Sequence, residues 1–426
     1  MPRRPRFRAR RRSTARSTLV LIVVQNLPVP LDRRVWMECR ALVAAGYGVA
    51  VICPKGPGDP DHEVLDGVDL YKYAPPPATA GALSFVYEFA YCWIRTALLS
   101  IRVLRRHGID VLQTCNPPDT YFLLALIHRL HGTLFVFDQH DLCPEMFQSR
   151  FGRSSGPLIW GLRTLERATY ALADHVITTN ESYAEIVQTR GHKTSEEVTV
   201  VRSGPDAAAM RPGEPVPELR RGRAHLVCWL GIMGPQDGVD FALRAAAHYV
   251  HQLERDDCHF AFLGFGDALA DLRELAAQLR LDAHVEFTGR VGPQDIGRYL
   301  STADVGLVPD PKSSYADLST HNKTLEYMAF AVPVLTTDLK ETRFSAGDAA
   351  AAVPHDDVDG FATTLADLLD DPARRAAMGR AGRRRIEDAL AWEHQEPKYV
   401  RVFDRLTAGG AKRRSPGSAP GFSPGR

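Results

Sequence analysis

Several features that would point to a function are absent from this sequence. The seven cysteines, Cys39, Cys53, Cys92, Cys115, Cys143, Cys228 and Cys258, are scattered, odd in number and without CxxC spacing. Neither a disulfide framework nor a zinc site is therefore expected, and reduced thiols in a cytosolic protein are. Net charge is nearly absent too, because 52 Lys and Arg face 51 Asp and Glu, leaving +1. That balance argues against a surface built as a whole for nucleic acid. No Gly-x-Gly-x-x-Gly appears, which weakens the case for an NAD enzyme, and no short-period repeat suggests a solenoid. A basic start precedes the apolar run Leu19 to Val24, as in a signal peptide. That run is too short to cross a bilayer, and Gln25 and Asn26 follow it directly, so a buried first strand is expected.

What is present suits a globular chain. With 426 residues, 45% hydrophobic and 24% charged, there is room for two domains with cores of their own. Residues 1–18, with Arg3, Arg4, Arg6, Arg8 and Arg10 to Arg12, read as a disordered basic arm. Such an arm is ordinarily a solvated tail, and attraction to anionic lipid is the sharper alternative. Residues 409–426, rich in Gly, Pro, Ser and Arg, read as a disordered tail.

Between these ends, apolar runs alternate with helical patterns. Leu19 to Val24, a helix around Arg33 to Ala45, Gly46 and Gly48, then Val49 to Cys53 make one βαβ unit. Strands Val111 to Thr114, Leu134 to Asp138, His175 to Thr179 and Val198 to Val201 continue the series, with helices near Thr120 to Leu130 and Pro157 to Ala171. Residues 206–223 lack periodicity and read as a linker. A second series follows, with strands His225 to Leu230, His259 to Leu263, Val285 to Thr288, Val305 to Val308 and Pro333 to Thr337. The helices between them are Val239 to His251, Ala268 to Leu279, Pro293 to Ser301 and Lys323 to Ala329. The fold class expected is α/β, with two Rossmann-like, doubly wound parallel-sheet domains at 19–205 and 224–390. One segment departs from this pattern. Residues 85–104 form an aromatic-rich helix with Phe85, Val86, Tyr91 and Trp93, ending in Arg102, Arg105 and Arg106. Glu88 and Arg95 interrupt it, so it packs in a core or lies at a membrane interface; core packing is the reading preferred.

Ligands of open α/β sheets bind beyond the carboxyl ends of the strands, so residues just after each strand are the candidates. In the second domain these include Gly231, Gly234, Gly264, Gly266, Arg290 and Asp310. Glycines there suit the approach of a phosphate, although each alone is first a turn residue. His321-Asn-Lys-Thr-Leu-Glu-Tyr-Met-Ala329 opens a helix at that edge. Lys323 at the helix start suits a diphosphate, and Glu326 one turn on suits ribose hydroxyls; the bland alternative is an exposed salt bridge between the two. In the first domain, Asp138, His140 and Asp141 follow a buried strand and suit acceptor binding or acid/base help. Asn116, Asp119, Asp32 and Arg33 hold comparable positions, where helix capping and turn formation compete with ligand contact.

With those residues in place the chain resembles the retaining glycosyltransferases of family 4, which have the two-domain GT-B architecture. The resemblance runs from Leu19 to about Leu406. It is carried by Pro30-Leu-Asp-Arg-Arg-Val-Trp36, Phe137-Asp-Gln-His-Asp141, Ala173-Asp-His-Val-Ile177, Leu230-Gly-Ile-Met-Gly-Pro-Gln236, Phe287-Thr-Gly289 and Asn322-Lys-Thr-Leu-Glu-Tyr-Met-Ala329 with Pro333-Val. It implies metal-independent transfer from a nucleoside diphosphate sugar to a glycan or lipid-linked acceptor, with no cofactor. Bacterial surface polysaccharide would be the product, made in the cytoplasm or on the inner face of an anionic membrane surface, with no nucleic acid partner. Glu326 would hold the ribose, with Asn322 beside it in the motif. Lys323 would meet the diphosphate, the Gly231–Gly234 loop would cover the phosphates, and His140 would sit near the transferred sugar, with Asp138 and Lys323 completing the catalytic set. A helix over 391–408 would cross back to the first domain. Three positions depart from the family pattern: Leu318 stands where a Glu is common, Gln236-Asp237 where a Lys is, and Ala331 where a Gly is. The diphosphate ligands therefore stay open, with Arg290 a further cation at hand. A GT-B-fold sugar-nucleotide epimerase and a non-catalytic partner protein of the same fold are the alternatives.

Overall fold

The computed structural model describes residues 17–76, 82–152 and 155–413. Residues 1–16 of the expected basic arm, residues 414–426 of the expected tail and the side chains of Phe85 and Val86 lie outside the described residues. By compactness the chain divides into two units, one of residues 1–113 with 128–134, the other of 114–127 with 135–426.

The first unit runs β1 (Leu19–Val23), α1 (Arg33–Ala44), β2 (Gly48–Pro54), β3 (His62–Leu65), β4 (Val68–Tyr73) and α2 (Ala82–His107), then enters β5 (Val111–Cys115). Its strands lie in the order β3-β4-β2-β1-β5. β1 pairs with β2 and β2 with β4 in parallel, and β3 alone runs antiparallel to its neighbour β4. All five residues of β1 are buried, which settles the apolar run after the basic start as a core strand. The hairpin β3–β4 has a sequence signature that the expectations above passed over. Asp66 and Gly67 take φ of 49° and 83°, and Asp-Gly is the favoured pair for a two-residue turn with both φ positive.

The helix α2 corrects the expectation of simple core packing. Cys92, Thr96, Ser100 and Val103 make an inward stripe, while Tyr87, Phe89, Ile94, Leu98 and Ile101 are exposed. Apolar residues therefore occupy both sides of the helix. No helix among the described residues is long and apolar enough to cross a membrane.

The second unit takes up α3 (Phe122–Arg129), β6 (Leu134–Gln139), α4 (Cys143–Phe151), α5 (Pro157–Leu172), β7 (His175–Thr178), α6 (Glu181–Gly191) and β8 (Val198–Val200). β6, β7 and β8 pair in parallel. The second series follows as β9 (His225–Ile232), α7 (Val239–His251), β10 (Cys258–Phe265), α8 (Leu269–Gln278), β11 (Val285–Gly289), α9 (Pro293–Thr302) and β12 (Val305–Val308). It ends with α10 (Asn322–Ala329), β13 (Val334–Thr337), α11 (Lys340–Ala346), β14 (Ala350–Val353), α12 (Val358–Asp370), α13 (Pro372–Arg385) and α14 (Trp392–Arg413). Here the sheet order is β11-β10-β9-β12-β13-β14, parallel throughout. The chain winds outward from β9 and then returns to the other side of it at β12. A doubly wound sheet opens its ligand crevice at such a reversal. α14 lies against β8, with Arg405 Nη2 3.3 Å from Thr199 Oγ1.

The core of the six-stranded sheet obeys the two-residue period of a strand. Val227 and Trp229 of β9 join Phe260 and Phe262 of β10 in one cluster, while Leu226, Cys228 and Leu230 join Ala261 and Leu263 in another. Helices cover both faces, so alternate residues are apolar on both sides. Where β9 and β10 end, their loops press together: Met233 N donates to Phe265 O at 2.7 Å, and Ala268 N to Met233 O at 3.0 Å. A Cβ on Gly264, whose φ is +158°, would stand 1.9 Å from Gly231 O.

Gly264→Ala is therefore expected to cost about 2 kcal/mol or more of stability in urea unfolding. Gly297→Ala, inside α9 with its nearest contact an ordinary 3.8 Å to Phe330, should gain about 0.5 kcal/mol. Equal effects at the two positions would contradict the close approach of the loops.

Candidate active site

The first half of the site is a turn after β6. Asp138 is fully buried, and its Oδ2 accepts His140 Nε2 at 2.7 Å. The backbone of that turn is held by Asn116 at the end of β5. Asn116 Oδ1 accepts the N–H groups of His140 (2.7 Å) and Asp141 (3.1 Å), and Nδ2 donates to Asp141 O and Asp119 Oδ1, both at 2.8 Å. Asn116 and Asp119 are 1% and 4% exposed. Both were expected on the acceptor side, with turn formation as the competing role, and in the structure Asn116 holds the His140 turn while Asp119 accepts from Asn116.

Three helices are clamped around this turn by one half-buried cation. Arg190 of α6 reaches Glu145 of α4 and Glu166 of α5, each at 2.7 Å. Glu166, fully buried, lies close enough to Asp119 for their charges to interact. Burial and then Glu166 push the Asp119 carboxyl up to about 7, against the hydrogen bond from Asn116. Asp32 and Arg33 belong to the first unit. Asp32 caps α1 by accepting Val35 N at 3.1 Å, and Arg33 is exposed on the first turn.

The second half gathers at the strand-order reversal. Lys323 is buried, and its Nζ lies 2.9 Å from Asp310 Oδ2 and 3.1 Å from Oδ1. The same Nζ sits 5.1 Å over the ring of Trp229, a cation–π contact. His321 Nε2 is 3.2 Å from Asp310 Oδ1. Burial would raise the Asp310 carboxyl, but Lys323 and His321 outweigh it and hold it far below the usual carboxylate range. The exposed salt bridge between Lys323 and Glu326 does not form: both residues are buried, and the partner of Lys323 is Asp310. Tyr327 fixes the helix from behind, accepting Leu230 N at 3.1 Å and donating to Leu307 O at 3.2 Å.

The strand-end glycines divide by role. Gly264 and Gly266 admit neighbouring backbone, since a Cβ on Gly266 would meet Met233 O at 2.4 Å. Gly234 N already donates to Asp237 Oδ2 at 2.9 Å. Arg290 is exposed and covers the ring of Phe265 at 5.3 Å, and Asn322 is exposed at the start of α10.

The two halves are tied directly. Tyr315, between β12 and α10, donates to Asp141 Oδ1 at 2.7 Å, and burial raises the Asp141 carboxyl while Tyr315 and His140 oppose the rise. Asn180 Nδ2 donates to Leu318 O (2.9 Å) and Thr320 Oγ1 (3.1 Å), and the Tyr183 hydroxyl meets Ser319 Oγ at 2.7 Å. None of Asn180, Tyr183, Tyr315 or Trp229 was singled out from sequence. Asn180 alone carried a signal, as an Asn after a strand and before a helix. One further juxtaposition had no spacing to reveal it: donor atoms of Cys115, Asp138 and His140 all lie within 4.8 Å of one another.

Two family models match the chain, a Glycosyl transferase 4-like domain over residues 31–204 and Glycosyl transferases group 1 over residues 224–371. Between them they take in both α/β series, and the chain belongs to the glycosyltransferases. It is 24% identical over 398 residues to a glycogen synthase of Mycobacterium tuberculosis, covering 88% of this chain and 90% of that one. A GDP-mannose-dependent monoacylated alpha-(1-6)-phosphatidylinositol monomannoside mannosyltransferase of Corynebacterium glutamicum is 31% identical over 173 residues, 40% of this chain and 44% of that one. Among solved structures, sucrose-phosphate synthase from Thermosynechococcus elongatus superposes with a TM-score of 0.74 at 18% identity, over 92% of this chain and 100% of that one. That likeness establishes the fold as GT-B, two parallel-sheet α/β domains.

The shifted Asp119 makes a pH prediction. An unfolded Asp releases its proton near 3.9, whereas the folded protein holds it up to about 7. The group's contribution is thus complete below pH 4 and is lost as pH rises toward and through 7. Asp119→Asn mimics the neutral acid and keeps the acceptor for Asn116. Its urea stability should match the parent near pH 3.5 and exceed it by about 4 kcal/mol at pH 8. A gap independent of pH would contradict the assignment.

Proposed function

We propose that the protein is a retaining glycosyltransferase of family 4. It would move a sugar from a nucleoside diphosphate sugar to a glycan or lipid-linked acceptor, without a metal ion, in the assembly of a surface polysaccharide. The observation that carries this is the buried turn of α10, where Lys323 and Glu326 stand at the reversal of strand order. The diphosphate lies at the start of α10, where backbone N–H groups, Lys323 and His321 favour the negative charge that grows on the leaving group. Asp310 removes part of that positive field but holds Lys323 and the His321 ring in place. The Glu326 carboxylate accepts the ribose hydroxyls. His140, its ring fixed by Asp138, stands by the transferred sugar as the acceptor oxygen bonds to the anomeric carbon and the bond to phosphate breaks. The GDP-mannose dependence of the mannosyltransferase relative supports a nucleotide-sugar donor, and its acceptor is a lipid-linked sugar by name.

A panel of UDP-, GDP- and ADP-sugars should give a rise in melting temperature with one nucleotide, because the folded state alone binds it. Glu326→Gln should weaken that donor by about tenfold. His140→Ala should keep the thermal shift and lower turnover by about a hundredfold or more. No shift with any donor, on folded protein, would favour the non-catalytic alternative. Donor rearranged without acceptor would favour the epimerase.

The exposed side of α2 supports a place on the inner membrane face. Ile94, Leu98 and Ile101 are exposed there beside exposed Arg95, Arg102, Arg105 and Arg106, a pairing of apolar area with headgroup-seeking cations. The double variant Ile94→Gln and Leu98→Gln should lower binding to phosphatidylglycerol vesicles by about tenfold while the melting temperature holds. Unchanged partition would remove the membrane from the proposal.

A further inference from the structure

We propose that Cys115, Asp138 and His140 form a site for one thiophilic divalent cation of the zinc class, and that filling it withdraws His140 from sugar transfer. The second half of this statement rests on the role given to His140 above; the first does not.

The ends of β5 and β6 lie side by side, with Asn116 N donating to Asp138 O at 3.4 Å. Cys115 Sγ is thereby brought 3.7 Å from Asp138 Oδ2, on which His140 Nε2 also converges at 2.7 Å. Zinc binds thiolate, imidazole and carboxylate at about 2.0–2.3 Å in a tetrahedron, which separates ligand atoms by roughly 3.3–3.8 Å. The sulfur–oxygen distance already fits. The oxygen–nitrogen pair has to open by roughly 0.6 Å on the scale of those bond lengths, and the sulfur and nitrogen already lie within 4.8 Å of each other. The imidazole is the one ligand with room to move, its side chain 16% exposed, while Cys115 and Asp138 are buried. One sulfur, one nitrogen and one oxygen ligand select zinc-like ions over magnesium or calcium, which do not favour thiolate.

The hydrogen-bond pattern points the same way. A single carboxylate oxygen faces both the thiol of Cys115 and the imidazole edge of His140. A cation at their meeting point replaces both hydrogens. Cys115 gives its proton to solvent, and the imidazole ligates through an unprotonated Nε2, its remaining proton on Nδ1. Three protein ligands leave a fourth position for water or substrate. Asn116, which accepts the N–H groups of His140 and Asp141, braces the ligand loop as outer partners of metal sites do.

Cobalt(II) is the probe, because its thiolate complexes absorb in the near ultraviolet. Titration of the full chain should reach saturation at about one equivalent with a thiolate-to-cobalt band. Cys115→Ser, close in shape and still a hydrogen-bond donor, should lose the band with its melting temperature kept. His140→Gln should weaken binding by about tenfold or more. Zinc should then suppress turnover of the parent, and a chelator should restore it. No band, or a band that survives in Cys115→Ser and so belongs to another cysteine, overturns the site. A band together with turnover indifferent to zinc overturns the inhibitory half. Should no donor be turned over at all, the cobalt band still decides the site, so failure of the site and failure of the transferase reading are separable.

Discussion

A carboxylate sealed from water at the end of β12 constrains everything around it. An uncompensated buried charge of this kind costs several kcal/mol, so Asp310 must be met by a cation and donors, and the Lys323 ammonium and the His321 ring meet it. Both come from the segment that opens α10. The start of that helix is therefore fixed not by a side-chain cap, which His321 does not supply, but by an ion pair to the neighbouring strand end. Trp229 closes the pair from the β9 side. Glu326, one turn along, inherits its position from the same anchor and from Tyr327, which bonds β9 and β12 at once. Electrostatic necessity at one residue thus sets the geometry of the α10 half of the candidate site.

The opposite half depends on an amide rather than a charge. Asn116 uses its oxygen twice and its nitrogen at least twice, which nearly exhausts what an Asn side chain can do. A turn held by so many bonds keeps His140 and Asp141 in one conformation and removes the cost of ordering them when substrate arrives. The half-buried Arg190 with Glu145 and Glu166 does the same for the helices behind the turn.

The strands and most helices were legible because parallel sheets covered on both faces read as short apolar runs between helical patterns. β9 at His225–Ile232 and α7 at Val239–His251 are examples. The hairpin β3–β4 was equally legible, through Asp66-Gly67, but its strands are short and polar enough to hide in a loop. For the site, position after a strand was a good guide to which residues matter and a poor one to how. It marked Asn116, Asp119 and Lys323, and the structure adds that all three are buried and paired within the protein. Burial and pairing depend on residues distant in the chain, such as Asp310 for Lys323 and Asp138 for Cys115, and no local pattern contains them. The helix α2 illustrates the same limit, since a sequence that is apolar on both sides does not reveal which side the core takes.

The positions that depart from the family pattern acquire a common meaning from their contacts. At 318, where an acid is common, Leu stands, and its carbonyl accepts Asn180 while Thr320, Ser319 and Tyr315 bond to Asn180, Tyr183 and Asp141. In the Gln236-Asp237 region, which departs from the pattern the resemblance implies by lacking a Lys, Asp237 accepts Gly234 N. In these two of the three places the residue present ties its loop to protein. A loop ordered by its own protein loses little entropy on binding, so the free energy surrendered with a charged contact is partly regained as preorganisation. The same exchange explains why Gly264 and Gly266 are needed: they let loops touch loops. Fixed geometry is thus what these loops share, and Lys323, buried at the start of α10, has its own place set by Asp310.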